Sequence, residues 1–278
     1  MRIFEQFADP YSMKQTVLIT GSTDGIGKQT ALELAAMGVG VILHGRNKSK
    51  AKQVLQEIAQ KTGNDQLDFF IADLSSLNQI RTMGAEIRRK YNRLDVLINN
   101  AGVAMNKLEL SEDGYEMTFA VNYLAAFALT HLLLDLLTHS APSRIINVSS
   151  MVHSASLNFD NLVEPGQFDG WEAYCQSKLC NVLFTYELAE KLQDQGVTVN
   201  CLHPGVIDTK LLRVNFSGGS PVTEGSRKLV YLASAPELEK ITGKYFRDNR
   251  EIRPAEIAYN SEIRKKLWNL SEKLCRPR

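Results

Sequence analysis

Four cysteines in 278 residues are too few and too scattered for a disulfide framework. None forms a C-x-x-C pair and none has a histidine at zinc spacing, so no metal site is expected. Cys175, Cys180, Cys201 and Cys275 read as buried thiols of a reduced compartment. A surplus of either charge is also missing: 32 Lys and Arg face 31 Asp and Glu, a net charge of +1. Nothing in that balance draws the chain to nucleic acid or to an anionic membrane. Long apolar runs are lacking too. The most apolar stretch, Ala120 to Leu137, is interrupted by Asn122, His131 and Asp135, and reads as too short and too polar to span a bilayer. The N-terminal MRIFEQFADPYSMKQ contains no apolar leader or anchor. These absences predict a cytoplasmic protein with no membrane anchor, no nucleic-acid partner and no metal. What remains is an ordinary globular composition, 44% hydrophobic and 23% charged.

Apolar, β-branched runs alternate with helical patterns along the chain. Strands are expected at 16–20, 39–43, 67–71, 94–98, 144–148 and 197–202. Helices are expected at 27–37, 50–60, 77–91, 111–137, 174–193 and near 225–233, with a further helical segment over 253–278. The strands are apolar throughout rather than alternating, which suits parallel strands buried on both faces. The fold class is therefore α/β: a doubly wound, mostly parallel sheet with helices on both faces, a single-domain Rossmann arrangement over 1–278.

The first strand runs into Thr20-Gly-Ser-Thr-Asp-Gly-Ile-Gly27, three glycines between a strand and a helix. Glycines there allow a tight turn and a close backbone approach to a pyrophosphate, and the helix N-terminus offers free N–H groups to it. A Walker A loop is excluded, because Ser22 and Gln29 break its pattern. The second strand ends in Leu43-His-Gly-Arg-Asn-Lys48, with no acidic residue for a ribose 2′-hydroxyl. Arg46 instead offers a planar fork to a 2′-phosphate, so NADP(H) is expected over NAD(H). Asp24 argues the other way if its carboxylate points inward.

Four further motifs fall at the carboxyl ends of strands or just beyond, where open α/β sheets bind ligands. They are Asn99-Asn-Ala-Gly102, Asn147-Val-Ser-Ser150, Tyr174-Cys-Gln-Ser-Lys178 and His203-Pro-Gly-Val-Ile-Asp-Thr209. Together with the glycine turn, in this order, they closely resemble the short-chain dehydrogenase/reductase family, from about Val17 to Phe246. Gly25–Lys28, Leu202–Gly205 and Thr242–Phe246 are most similar to its retinol-dehydrogenase-like branch.

Tyr174 and Lys178 are four apart, on one helix face. A neighbouring ammonium favours the phenolate, so a lowered Tyr174 pKa is expected, fitting the phenol to give or take a proton. Ser150 is a hydrogen-bond donor for a substrate oxygen. The resemblance marks Ser150 over Ser149 and adds Asn122 as the link from Lys178 to a water relay; the catalytic set is Asn122, Ser150, Tyr174 and Lys178. It also implies cofactor contacts at Gly21, Ser22, Thr23, Gly25, Ile26 and Gly27 in the turn. Others are Arg46 and Asn47, Asp73 and Leu74 at the adenine, and Asn100, Ala101 and Gly102 beside the ribose. Tyr174, Lys178, Pro204, Gly205, Ile207 and Thr209 lie on the nicotinamide side.

The interval between Ser150 and Tyr174 exceeds the family's usual spacing. The insert at 157–171 offers Phe159, Phe168 and Trp171 as walls of a substrate site. A lid is expected over 205–231, with Val206, Leu211, Leu212, Val214 and Phe216 as its apolar residues. His153 is a candidate to face the substrate, and His203 to position backbone. The implied function is an NADP(H)-dependent oxidoreductase interconverting an alcohol and a ketone or aldehyde on an apolar small molecule, retinoid-, steroid- or xenobiotic-like. A non-catalytic NADP-binding sensor on the same fold is the alternative. An epimerase of the extended branch fits less well, because its glycine spacing differs. Helices 111–137 and 174–193 offer surfaces for a homodimer or homotetramer.

Overall fold

The computed structural model describes residues 15–163 and 166–276. Most of the N-terminal stretch behind the no-anchor expectation lies outside the described residues. Eight strands form one sheet in the order β3-β2-β1-β4-β5-β6-β7-β8. They are β1 (Thr16–Ile19), β2 (Gly40–Gly45), β3 (Leu67–Ile71), β4 (Val96–Asn99), β5 (Ser143–Val148), β6 (Val197–His203), β7 (Lys244–Arg247) and β8 (Arg250–Ile252). All neighbours are parallel except β7 and β8.

The helices are α1 (Gly25–Ala36), α2 (Lys48–Thr62), α3 (Leu77–Lys90), α4 (Met117–His139), α5 (Phe159–Val163), α6 (Gly170–Lys191), α7 (Val222–Ser234) and α8 (Ser261–Cys275). Successive strand residues point to opposite faces. Val17 and Ile19 join Leu34, Val54 and Leu229 of α1, α2 and α7 in one core. Leu18, between them, joins Ile80, Phe127 and Leu183 of α3, α4 and α6 in the other. Two buried faces explain why the strands carry no polar alternation.

Strand order reverses between β1 and β4, which opens a crevice at their carboxyl ends. A buried polar ladder fixes that edge. Asn99 and Asn147 are register partners on β4 and β5. Asn99 Nδ2 donates to Asn147 Oδ1 at 2.8 Å, and Asn147 Nδ2 to Thr185 Oγ1 of α6 at 2.9 Å.

Several elements differ from expectation. α4 starts at Met117 rather than 111, because the Glu116 carboxylate caps it by accepting from the Thr118 and Phe119 N–H groups. The helix then widens into a π turn over Ala120–Leu124. By length and composition Met117–His139 does qualify as a candidate membrane span, so its three polar residues were over-weighted; 67% of its apolar window is buried inside the domain. β7 and β8 form a hairpin just ahead of the expected C-terminal helical segment, whose first part is a short 3-10 turn, Glu256–Tyr259. Asp248 and Asn249 join them with φ of 51° and 60°, the left-handed pair of a tight hairpin turn. α8 begins only at Ser261, behind an Asn260 cap. It packs on α6, and Trp268 sits edge-on to Phe127 at 5.2 Å and beside Phe184. The chain's own helix thus covers part of the α4 and α6 faces offered above for a dimer.

Candidate active site

The crevice holds a cavity of about 1200 Å³. That exceeds the roughly 300–1,000 Å³ usual for one small ligand, and suits a dinucleotide with a substrate beside it. It is bordered by every expected cofactor residue except Ser22 and Asn47, and by Ser150, Tyr174 and Lys178.

The glycine turn is built by close approach. Gly21 and Gly25 have φ of 64° and 53°, where a side chain is strained. A Cβ on Gly27 would meet Asn100 Nδ2 and the Gly21 carbonyl at 2.5 Å. Asn100 Nδ2 donates to the Thr20 carbonyl at 2.8 Å, clamping the end of β4 to the turn. Ser22 is fully buried. Its hydroxyl donates to the Ile19 carbonyl and accepts from the His44 N–H, each at 2.8 Å, so it braces the turn from behind. Asn47 instead caps α2, accepting from the Lys50 N–H at 2.9 Å.

Asp24 does not stand as a bare charge in the crevice. Its carboxylate caps α1 and takes Lys50 at 2.8 Å and Lys210 at 2.7 Å. Those lysines hold it well below the usual carboxylate range. Arg46 is exposed at the rim, 3.6 Å from the Asp73 carboxylate. Asp73 closes its own turn, accepting from the Ser75 N–H and hydroxyl; Ser76, not Asp73, caps α3.

Sequence reasoning missed His44. Its ring is buried, with Nδ1 accepting from the Gly21 N–H at 3.0 Å. That leaves Nε2 to donate to the Ala72 carbonyl at 3.2 Å. Desolvation pushes its pKa down to about 4, so the ring is neutral. One imidazole therefore ties the glycine turn to the segment that carries Asp73. A polar residue closing an otherwise apolar strand was the available signal.

Tyr174 and Lys178 lie on α6, which Asp169 caps through the Trp171 and Glu172 N–H groups. Lys178 is 3% exposed, and its Nζ donates to the Val148 carbonyl at 2.9 Å. Burial lowers its pKa to about 8. The expected lowering of Tyr174 is not found. Burial raises it to about 12, against a weaker opposing hydrogen bond with Ser150, so the phenol is protonated at neutral pH. Asn122 lies behind the cavity wall within the π turn. Its side-chain amide pairs with both backbone groups of Val103 and donates to Ser177, and its backbone carbonyl accepts from Asn181.

His153 does not face the substrate side. Nε2 accepts from the Ala255 N–H at 3.1 Å and Nδ1 donates to the Ser150 carbonyl at 2.7 Å. Tyr245 Oη donates to that same carbonyl at 3.0 Å, so two side chains fix the Ser150 backbone. His203 does line the cavity, buried and pushed down to about 4. Of the three insert aromatics, Trp171 alone borders the cavity. Phe159 packs under Lys266, and Phe168 lines a separate small pocket. Within the span expected as a lid, α7 packs against α1 as a core helix. Val206, Leu211, Leu212 and Phe216 border the cavity and Val214 does not.

Comparison with known proteins accounts for this assembly. Residues 15–218 match the short chain dehydrogenase family model. The chain is 44% identical to human retinol dehydrogenase 13, over 94% of this chain and 84% of that protein. It is 39% identical to human polyprenol dehydrogenase, over 92% and 84%. A short chain dehydrogenase of Escherichia coli CFT073, solved in complex with NADPH, superposes with a TM-score of 0.70 at 29% identity, over 84% and 95%. The cytoplasmic, anchor-free expectation does not stand beside these relatives, and Met117–His139 passes as a candidate span by length and composition alone. The chain belongs to the short-chain dehydrogenase/reductase family of oxidoreductases, in its retinol-dehydrogenase-like branch.

Proposed function

We propose that the chain is an NADP(H)-preferring oxidoreductase that interconverts an alcohol and a ketone or aldehyde on an apolar small molecule. The whole chain serves as one dinucleotide-binding and catalytic unit. The observation that carries this reading is the meeting of Tyr174, Lys178 and Ser150 on the wall of the cavity that the glycine turn also opens into. Retinol and polyprenol, named in two relatives, are both apolar alcohols, which supports the substrate class.

The turn and the N-terminus of α1 would hold the pyrophosphate with backbone N–H groups and the helix dipole. Arg46 would pair with the 2′-phosphate, and Asp73 would lie at the adenine side. The nicotinamide, when bound, supplies or accepts the hydride. Tyr174, kept protonated by burial, donates its Oη proton to the carbonyl oxygen as reduction proceeds. The Ser150 hydroxyl donates to the same oxygen. The Lys178 ammonium lies 5.6 Å from the Tyr174 ring centroid and steadies the phenolate that results. Oxidation of an alcohol runs these proton steps in reverse. Asn122 positions α6 against the Val103 segment.

A thermal-shift titration tests the cofactor reading. A ligand that binds only the folded chain stabilises it by RT ln(1 + [L]/Kd). NADP(H) is expected to stabilise the chain more than NAD(H), and Arg46→Asp to reverse the order. Stronger stabilisation by NAD(H) in the unaltered chain would contradict it.

A further inference from the structure

Large apolar side chains are rarely left exposed together without cause. Eight are exposed among the described residues, and four of them, Met151, Trp171, Val206 and Phe216, border the one large cavity. They come from three separate segments: the loop after β5, the start of α6 and the loop after β6. Trp171 is 41% exposed and Phe216 52%, yet their rings meet edge to face at 5.4 Å. Trp171 also stacks on Tyr174, with centroids 6.1 Å apart and planes at 24°. The two residues are three apart on α6, so the stack follows from helix geometry. The helix start packs tightly on its neighbour, since no Cβ fits at Gly170 against the Met105 carbonyl. Phe216 rides on a loop pinned at its neck, where Asp208 N–H donates to the Ser220 carbonyl and Ser220 N–H to the Val206 carbonyl.

We propose that Trp171 and Phe216 form an aromatic clasp that selects substrates with a long apolar chain. The clasp rests on the oxidoreductase reading above and names the side chains that give it specificity. The reacting oxygen lies at Tyr174, and the chain beyond it lies along Trp171 and Phe216, flanked by Met151 and Val206. Covering these exposed rings removes apolar area from water on both partners. Each methylene buried there favours binding by about fourfold. A short or polar substrate reaches the phenol and gains none of this. Because Trp171 stacks on Tyr174, a chain held by the clasp is also held in register with the proton donor.

The test is kcat/KM for straight-chain aldehydes from butanal to decanal with saturating NADPH. In the unaltered enzyme the value rises with chain length. In Trp171→Ala, decanal loses at least about tenfold more than butanal does, so the rise with chain length flattens. Trp171→Phe recovers most of the loss. Phe216→Ala repeats it, and the double variant falls no further than either single, because the pair acts as a unit. Equal losses on butanal and decanal, or additive losses in the double variant, overturn the clasp. A second measurement is independent of turnover. The chain has two tryptophans, so Trp268→Phe leaves Trp171 as the only one, read with excitation beyond tyrosine absorption. Decanol with NADP⁺ is expected to shift its emission and butanol is not, and Phe216→Ala to remove the shift. No decanol shift overturns the clasp even in an active enzyme. A shift in a chain that reduces no aldehyde leaves the clasp and sinks the oxidoreductase reading.

Discussion

Replacing His44 by Phe tests how the cofactor turn is held. Phe keeps an aromatic ring of similar size, so little cavity is created. It strands the Gly21 N–H and the Ala72 carbonyl, which the imidazole satisfies at 3.0 and 3.2 Å. Leaving a buried polar group unmet costs about 1–3 kcal/mol, so the loss is roughly 2–6 kcal/mol. That is a large part of a typical stability of about 5–15 kcal/mol. His44→Asn retains an acceptor near the Nδ1 position and is expected to recover roughly half. Urea unfolding gives the stability, and NADPH titration gives the affinity. Affinity should fall in step, because a freed Gly21 no longer holds the turn in its binding form. A loss below about 1 kcal/mol, or equal effects of Phe and Asn with unchanged NADPH affinity, would refute the reasoning.

Gly27→Ala places a methyl against Asn100 and the Gly21 carbonyl. Overpacking of that kind costs about 1–3 kcal/mol, so NADPH affinity measured by fluorescence should fall roughly tenfold or more. Acid unfolding follows from two buried neutral histidines. His44 and His203 titrate near 4 in the folded chain and near 6.5 when unfolded. Between those values the unfolded chain binds more protons, so their contribution is complete above about pH 6.5 and drains away toward pH 4. The loss is on the order of 3 kcal/mol per histidine, read from urea midpoints across that range. Asp24→Asn breaks two partly exposed ion pairs and should change stability by less than about 1 kcal/mol. It also frees Lys50 and Lys210 for phosphate, so NADPH binding should tighten, most at low salt.

Much of the architecture was legible because its signals are local. Strands buried on both faces, such as Val17–Ile19 with its split between two cores, carry uninterrupted apolar runs. The glycine turn and the Tyr174–Lys178 pair were legible because steric and helical spacing leave few residue types that serve. What escaped depends on long-range contacts. Ser22 and Asn47 sit within binding motifs, yet their side chains brace the turn and cap α2. The 4-residue β7 and 3-residue β8 are too short for a periodicity signal. Tyr174 was expected to be acidified by Lys178, but burial raises the phenol and lowers the ammonium together. His153 was placed toward substrate from its nearness to Ser150, and that nearness is through backbone, with both ring nitrogens already used.

The account stands most directly on NADPH-dependent reduction of apolar aldehydes, compared between the unaltered chain and Tyr174→Phe. The predicted result is turnover that falls roughly 10²–10⁴-fold on losing the phenolic proton, with NADPH affinity preserved. Turnover that survives Tyr174→Phe, or NADPH binding with no turnover of any aldehyde by the unaltered chain, would contradict it.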